Sequence, residues 1–236
     1  MAKTPKAVPG DEERGGSTPP PNPLRSPLSD RSPDPQRPPR LASSVAPGAV
    51  RTGRHVLLRR PTPQDCSAFL GMVAESRALY DRWLHPPADV ETFNRYVALG
   101  RTPERDHLLV CDRVSGAIAG VINISNIIHG LFQNATLGYY GNVRFAGRGV
   151  MTEGLGLVLD HAFRGLRLHR LEANIQPENE ASKRLVLRLG FRREGFSPKM
   201  LRIDGIWRDH ERYAMLCEEW EVMRRQHLPE CTEPEG

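Results

Sequence analysis

Cysteine is scarce in this sequence, and a long apolar run is missing. The four cysteines, Cys66, Cys111, Cys217 and Cys231, form no C-x-x-C pair, and no histidine pair stands at metal-ligand spacing beside them. That pattern argues against a zinc site or a disulfide framework and for reduced thiols. No stretch approaches the roughly 20 apolar residues that span a bilayer. No apolar segment of the kind a secretory signal needs follows Met1-Ala2-Lys3-Thr4-Pro5. The expectation is a cytoplasmic protein with no membrane partner and no metal. Lysine is also rare, 4 residues against 29 arginines, and the net charge is only +5. So modest a balance calls for no specific nucleic-acid partner.

Proline, by contrast, is plentiful and unevenly placed: 12 of the 21 lie within the first 50 of 236 residues. Residues 1–48 are rich in Pro, Ser, Arg and Gly, with few apolar residues and no periodicity. Such a segment cannot bury enough apolar surface to offset chain entropy, so a disordered tail is expected. The remainder is one core's worth of chain. Residues 49–220 are read as a single domain and 221–236 as a C-terminal tail.

Within 49–220 the pattern alternates between strand and helix. Arg54 to Arg60 has strand composition, and Thr62-Pro63-Gln64-Asp65 has the residues of a helix start. A second helix is expected over Val90 to Leu99. His107 to Asp112 and Ala117 to Ile124 are β-branched runs separated by a short turn, hence a hairpin. Ala135 to Tyr140 is a further strand. Met151, Leu155, Val158 and Ala162 recur at helical spacing, predicting a helix from about Val150 to Arg164. Leu168 to Ile175 is a strand, and Asn179 to Leu189 a helix with Asn179 as N-cap and Gly190 beyond its end. Asp204-Gly205 between two strand candidates predicts a tight hairpin. The fold class is α/β, with a mixed, mostly antiparallel central sheet and flanking helices.

The segment with chemical content is Arg144-Phe145-Ala146-Gly147-Arg148-Gly149, between a strand and a helix. Small residues there let backbone N–H groups approach an anion at a helix N-terminus. A Walker A loop requires Lys and Ser or Thr after the second glycine, where Val150 and Met151 stand. A Rossmann fingerprint requires a third glycine where Thr152 stands. Both fail.

The order R-x-x-G-x-G, helix, strand, Asn179-Glu180-Ala181-Ser182, Leu185-x-x-x-Leu189-Gly190-Phe191 resembles the GNAT N-acetyltransferase superfamily. Leu137-Gly138-Tyr139, His169-Arg170-Leu171-Glu172-Ala173-Asn174 and Ile203-Asp204-Gly205-x-Trp207-Arg208-Asp209-His210 are similar to its RimJ/RimL branch, which contains ribosomal-protein-alanine N-acetyltransferases. The resemblance covers residues 54–217.

It implies acetyl-CoA as cosubstrate. The pyrophosphate would sit on Arg144 to Gly149, with Arg144 and Arg148 adding charge. Leu137, Gly138 and Tyr139 would offer backbone groups to the pantetheine, and so would the side chain of Asn179. Ser182 would give a proton or a hydrogen bond to the thiolate, or be a first-turn helix serine and no more. Many relatives carry a tyrosine acid where this chain has Val186, and RimL-type relatives a glutamate base where it has Leu201. A glutamate of some relatives falls at Asn174, and Glu172, two residues earlier, either holds a water as base or pairs with Arg170. Asp209 and Asn126 are candidates to hold the acceptor, whereas Trp207 and His210 are expected to be structural. His55, His85, His107 and His161 carry no signal.

The resemblance implies transfer of acetyl to a primary amine. The first acceptor is the N-terminal α-amine of a protein or peptide, a ribosomal protein among them. The alternatives are a small-molecule or peptide-antibiotic amine, and a module that binds acetyl-CoA without turnover. The chain is expected to be a monomer or homodimer.

Overall fold

The computed structural model describes residues 48–80 and 82–227. The expected disordered tail, residue 48 apart, lies outside the described residues, as do Cys231 and the last nine positions. No helix among the described residues is long and apolar enough to cross a membrane.

The chain opens with β1 (Ala49–Thr52) and β2 (Val56–Arg59), followed by α1 (Cys66–Tyr80) and α2 (Val90–Leu99). The strands β3 (Arg105–Asp112), β4 (Ile118–Ile128) and β5 (Asn134–Gly141) form a meander. Then come α3 (Val150–Asp160), β6 (Arg170–Ile175), α4 (Glu180–Arg188), β7 (Arg192–Ile203), β8 (Ile206–Leu216) and α5 (Cys217–His227). The eight strands make one sheet in the order β1-β2-β3-β4-β5-β6-β8-β7. Every neighbouring pair is antiparallel except β5 and β6. These two are joined by the α3 crossover, which carries the chain back to the same end of the sheet, as a parallel pair requires.

Alternation along the strands divides the apolar residues between two faces. Leu108, Val110, Ile122, Ile124 and Leu137 pack with α3, α4 and α5. Leu109, Cys111, Val121 and Tyr140 pack with Phe69 and Met72 of α1 and Phe93 and Tyr96 of α2. The first turn of α1 is a short 3-10 segment, Pro63–Asp65, in which Thr62 N and Oγ1 both donate to Asp65 Oδ2 at 2.8 and 2.9 Å. Asp204 and Gly205 both take positive φ, 52° and 78°, the geometry of a tight I′ hairpin.

Three features depart from the sequence reading. β1 pairs with β2 as a hairpin, where one strand was expected. The helix starting at Val150 ends at Asp160 and passes into a π-turn, His161–Gly165. There His161 Nε2 stands 2.8 Å from the buried carboxylate of Asp106, which Arg60 also grips through two bonds of 2.8 Å. Finally, the chain does not become a tail at 221. The helix α5 runs to His227, because Trp220 is fully buried in the α3-side core and Arg224 Nε donates to Asp160 Oδ1 at 2.6 Å.

The burial of Trp220 is a quantitative expectation. Truncating it leaves a large cavity, so Trp220→Ala should lower the unfolding free energy by about 3–5 kcal/mol in urea titration. A loss below about 1 kcal/mol would place α5 outside the core.

Candidate active site

The site begins where the parallel pair ends. β5 and β6 are hydrogen-bonded from Asn134↔Arg170 to Leu137↔Ala173 and then part, although β5 continues to Gly141 and β6 to Ile175. A cleft of about 510 Å³ opens between them. Leu137, Tyr139, Ala173 and Ile175 line it from the α3–α4 face, together with Asn179 and Ser182 of the α4 N-terminus. Ser125, Thr136, Gly138, Asn174, Gln176 and His210 line it from the face of α1 and α2. The cleft therefore joins the two faces of the sheet through the gap.

Tyr139 Oη and Ser182 Oγ are hydrogen-bonded at 2.6 Å. Burial pushes the Tyr139 phenol up to about 12, against a smaller opposing effect of Ser182, so it is protonated at neutral pH. Ser182 is placed by the start of α4, where Asn179 Oδ1 accepts from Ser182 N at 3.1 Å as an N-cap. Asn174 Oδ1 is buried with no hydrogen-bond partner among the described residues. An orphaned acceptor on a residue that lines a cleft is suited to an incoming N–H donor.

Just past the C-terminal end of β5, Val143–Phe145 form one 3-10 turn and Ala146 to Gly149 lead into α3. Gly147 and Gly149 have φ of 74° and 76°, a region that side chains rarely adopt. Among the described residues the amides of Gly147, Gly149, Val150 and Met151 make no hydrogen bond to a backbone carbonyl outside the helix, and the first bond closing the helix is Glu153 N to Gly149 O, 3.0 Å. Free amides at a helix start suit an anion. The unpaired β5 edge and this amide cluster are chemically fitted to pantetheine amides and to a pyrophosphate.

The residues expected from sequence divide into two groups. Leu137, Gly138, Tyr139, Asn179 and Ser182 all line the cleft. Arg148 and the glycines lie on the exposed loop, with the Arg148 guanidinium 5.8 Å from the Phe145 ring centre. Arg144 instead turns back to α1, donating to Glu75 through Nε at 2.7 Å. Arg188 of α4 reaches the first turn of α3, donating to Thr152 Oγ1 at 3.1 Å. No local signal marks Arg188, because the two helices meet only in three dimensions.

The remaining candidates stand away from the cleft lining. Glu172 accepts from Arg170 Nε at 2.8 Å, and Arg170 also grips Glu194, whose carboxyl it holds down at about 2. This ladder on the sheet surface occupies the Glu172 carboxylate. Asp209 Oδ1 accepts from Lys199 N at 2.7 Å, tying down a bulge in β7 where Lys199 has φ 47°. Asn126 is exposed at φ 54° in a bulge of β4, and its neighbour Ser125 is the residue that reaches the cleft. Trp207 is exposed, contrary to its expected packing role. Sequence reasoning missed Trp83, His85 and Gln176. His85 Nε2 lies 2.6 Å from Asp204 of the β7–β8 turn, and Gln176 Nε2 donates to Trp83 O at 3.3 Å, so the 82–87 segment is pinned over the cleft mouth.

Gly138 tests the cleft directly. A Cβ built there meets no atom within 4 Å, and its φ is not in the left-handed region. Gly138→Val should therefore leave the melting temperature unchanged or raised, while filling the cleft and lowering acetyl transfer about 10–100-fold. Full activity in the variant would show that the reacting groups do not meet beside Gly138.

The family described as Acetyltransferase (GNAT) domain matches residues 55–192, more than half of the chain. Probable N-acetyltransferase YjcK of Bacillus subtilis (strain 168) is 31% identical over 172 residues, covering 70% of this chain and 95% of that protein. The [ribosomal protein uS5]-alanine N-acetyltransferase of Escherichia coli (strain K12) is 40% identical over 103 residues, covering 44% of this chain and 53% of that enzyme. Among solved structures, Mycobacterium smegmatis RimJ in complex with CoA-disulfide superposes with a TM-score of 0.64 at 28% identity, covering 70% of this chain and 83% of that one. With the parted strands and the glycine loop, these likenesses settle the family: the chain belongs to the GNAT acetyltransferases, in their RimJ/RimL-like branch, and is an N-acetyltransferase.

Proposed function

We propose that the chain transfers acetyl from acetyl-CoA to the N-terminal α-amine of a protein or peptide. The observation that carries this reading is the chemistry of the acceptor half of the cleft. Beside His210 its walls are the uncharged Ser125, Thr136, Asn174 and Gln176; among the described lining residues the one carboxylate, Asp204, is already paired with His85, and the one guanidinium, Arg202, donates to Gly205 O. A polycationic amine calls for several free carboxylates, whereas a single α-amine calls for hydrogen-bond acceptors and little charge. The named activity of the Escherichia coli relative supports the same class of acceptor, ribosomal proteins included.

In this reading acetyl-CoA supplies an activated acetyl thioester. The β5 edge beyond Leu137 holds the pantetheine arm by backbone hydrogen bonds, as an added strand would be held. The amides from Gly147 to Met151, with Arg148 and Arg188 nearby, hold the pyrophosphate. Tyr139 donates to Ser182, which directs the Ser182 hydroxyl hydrogen toward the departing sulfur. Asn174 Oδ1 accepts a hydrogen bond from the acceptor amine.

The test is CoA release from acetyl-CoA with Ala- and Ser-starting peptides, their N-blocked copies and small amines, the acetyl group being located by mass spectrometry. Turnover on free α-amines alone is the expected result, and turnover only on side-chain or small-molecule amines would contradict it. In the same assay Ser182→Ala should lower kcat about 100-fold, the size of a lost proton donor. Tyr139→Phe removes only the hydrogen bond that orients Ser182, worth about 1 kcal/mol or some five-fold. Equal losses in both variants would contradict the assigned order of donors.

A further inference from the structure

The transfer needs a group to take the amine proton, and neither Glu172 nor position 201 provides one. Glu172 is held by Arg170, and Leu201 presents an apolar side chain to the cleft. The titratable or charged side chains lining the cleft are His85, Tyr139, Arg202, Asp204 and His210. Tyr139 is a buried phenol hydrogen-bonded to Ser182, and Arg202 is a guanidinium, a donor only, that donates to Gly205 O. His85 and Asp204 are half-exposed and bonded to each other at the mouth.

His210 differs from all of them. It is 2% exposed, on β8, and lines the cleft on the acceptor face. Its Nδ1 stands 3.0 Å from Arg208 O. A carbonyl oxygen can only accept, so Nδ1 carries the hydrogen and Nε2 keeps its lone pair. Nε2 has no partner among the described residues. Continuing the β6–β8 register past Ile175↔Glu211 puts His210 beside Gln176, next along the face from Asn174.

We infer that His210 is the general base of the reaction, taking the acceptor amine's proton on Nε2. The inference rests on the acetyl-transfer reading above. As the amine nitrogen bonds the acetyl carbon, His210 Nε2 takes its proton. The carbon–sulfur bond breaks with its electron pair on sulfur, which receives the Ser182 hydroxyl proton. That proton is replaced from solvent, and His210 releases its own to solvent. Burial holds the imidazole below its ordinary pKa, opposed by the Arg208 carbonyl and by Asp209. It is therefore neutral, and competent as a base, at neutral pH. The charges nearest along its own strand are Arg208, Asp209, Glu211 and Arg212; β6 opposes it with uncharged Asn174 and Gln176, β7 with Ser197, and the 82–87 segment with His85.

Two measurements on the full chain test this. In the folded wild-type protein, imidazole nitrogen NMR should show His210 as the Nδ1-protonated tautomer, titrating at lower pH than an ordinary histidine; the Nε2-protonated tautomer would overturn the inference. His210→Gln should lower kcat about 100- to 1000-fold at pH 7.5, with the acetyl-CoA dissociation constant within two-fold of wild type. Its residual kcat should keep climbing with pH as hydroxide replaces the base, beyond the α-amine's own titration at about 7.7–8, where the wild type levels off. A folded His210→Gln protein with wild-type kcat and pH profile would overturn the assignment while leaving the acetyltransferase reading intact. Wild-type protein that binds acetyl-CoA but turns over no amine would overturn both.

Discussion

The parting of β5 from β6 after Leu137↔Ala173 is the constraint on which the rest of the structure depends. The two strands form the one parallel pair of the sheet, and they part while each still has residues in extended conformation. Backbone hydrogen-bonding groups at a sheet interior are normally paired. Leaving a gap there is tolerated only if something else fills it, and the cleft is the consequence. The gap also explains why the two faces of the sheet communicate. Tyr139 reaches α4 from one face, and His210 approaches from the other.

Both cores support this arrangement. On one face α3 packs beneath the strands through Leu155, Val158 and Leu159, which fixes the helix start and its free amides near the end of β5. On the other, α1 and α2 pack through Phe69, Phe93 and Tyr96, with the ring centres of the first two 4.8 Å apart. Asn142 reinforces the link between sheet and loop: its Nδ2 donates to Ile118 O at 2.7 Å and its Oδ1 accepts from Arg144 N at 2.9 Å. Ser76 Oγ of α1 accepts from Val143 N at 3.0 Å. The anion loop is thus held from two sides, and only its glycine-rich second half is open.

Local signals made much of this legible from sequence. Helical spacing marked α3, the Asp204-Gly205 pair marked the last hairpin, and Asn179 and Gly190 marked both ends of α4, Gly190 taking φ 90°. The glycine loop was legible because a positive φ selects glycine. Side-chain roles were less so, since a role depends on where a neighbour from a distant segment stands. Arg144 and Arg188 are alike in sequence, yet Glu75 claims the first and α3 receives the second. Of the two parts expected of Glu172 the structure shows the pairing with Arg170, and the base role is proposed for His210 instead. Arg170 and Glu194 build an ion ladder around Glu172, while the Arg208 carbonyl orders the His210 ring beside the cleft. The C-terminal helix was missed because its polar composition hides a single buried anchor, Trp220.

The central claim is that the unpaired edge of β5 and the amides at the start of α3 bind acetyl-CoA together. Amide hydrogen exchange with and without acetyl-CoA tests it most directly, because exchange reports backbone hydrogen bonds at each segment. The account expects acetyl-CoA to slow exchange over residues 138–141 and 147–152, with the buried strands β3 and β4 unchanged. Protection confined to other segments, or none at saturating acetyl-CoA, would contradict it.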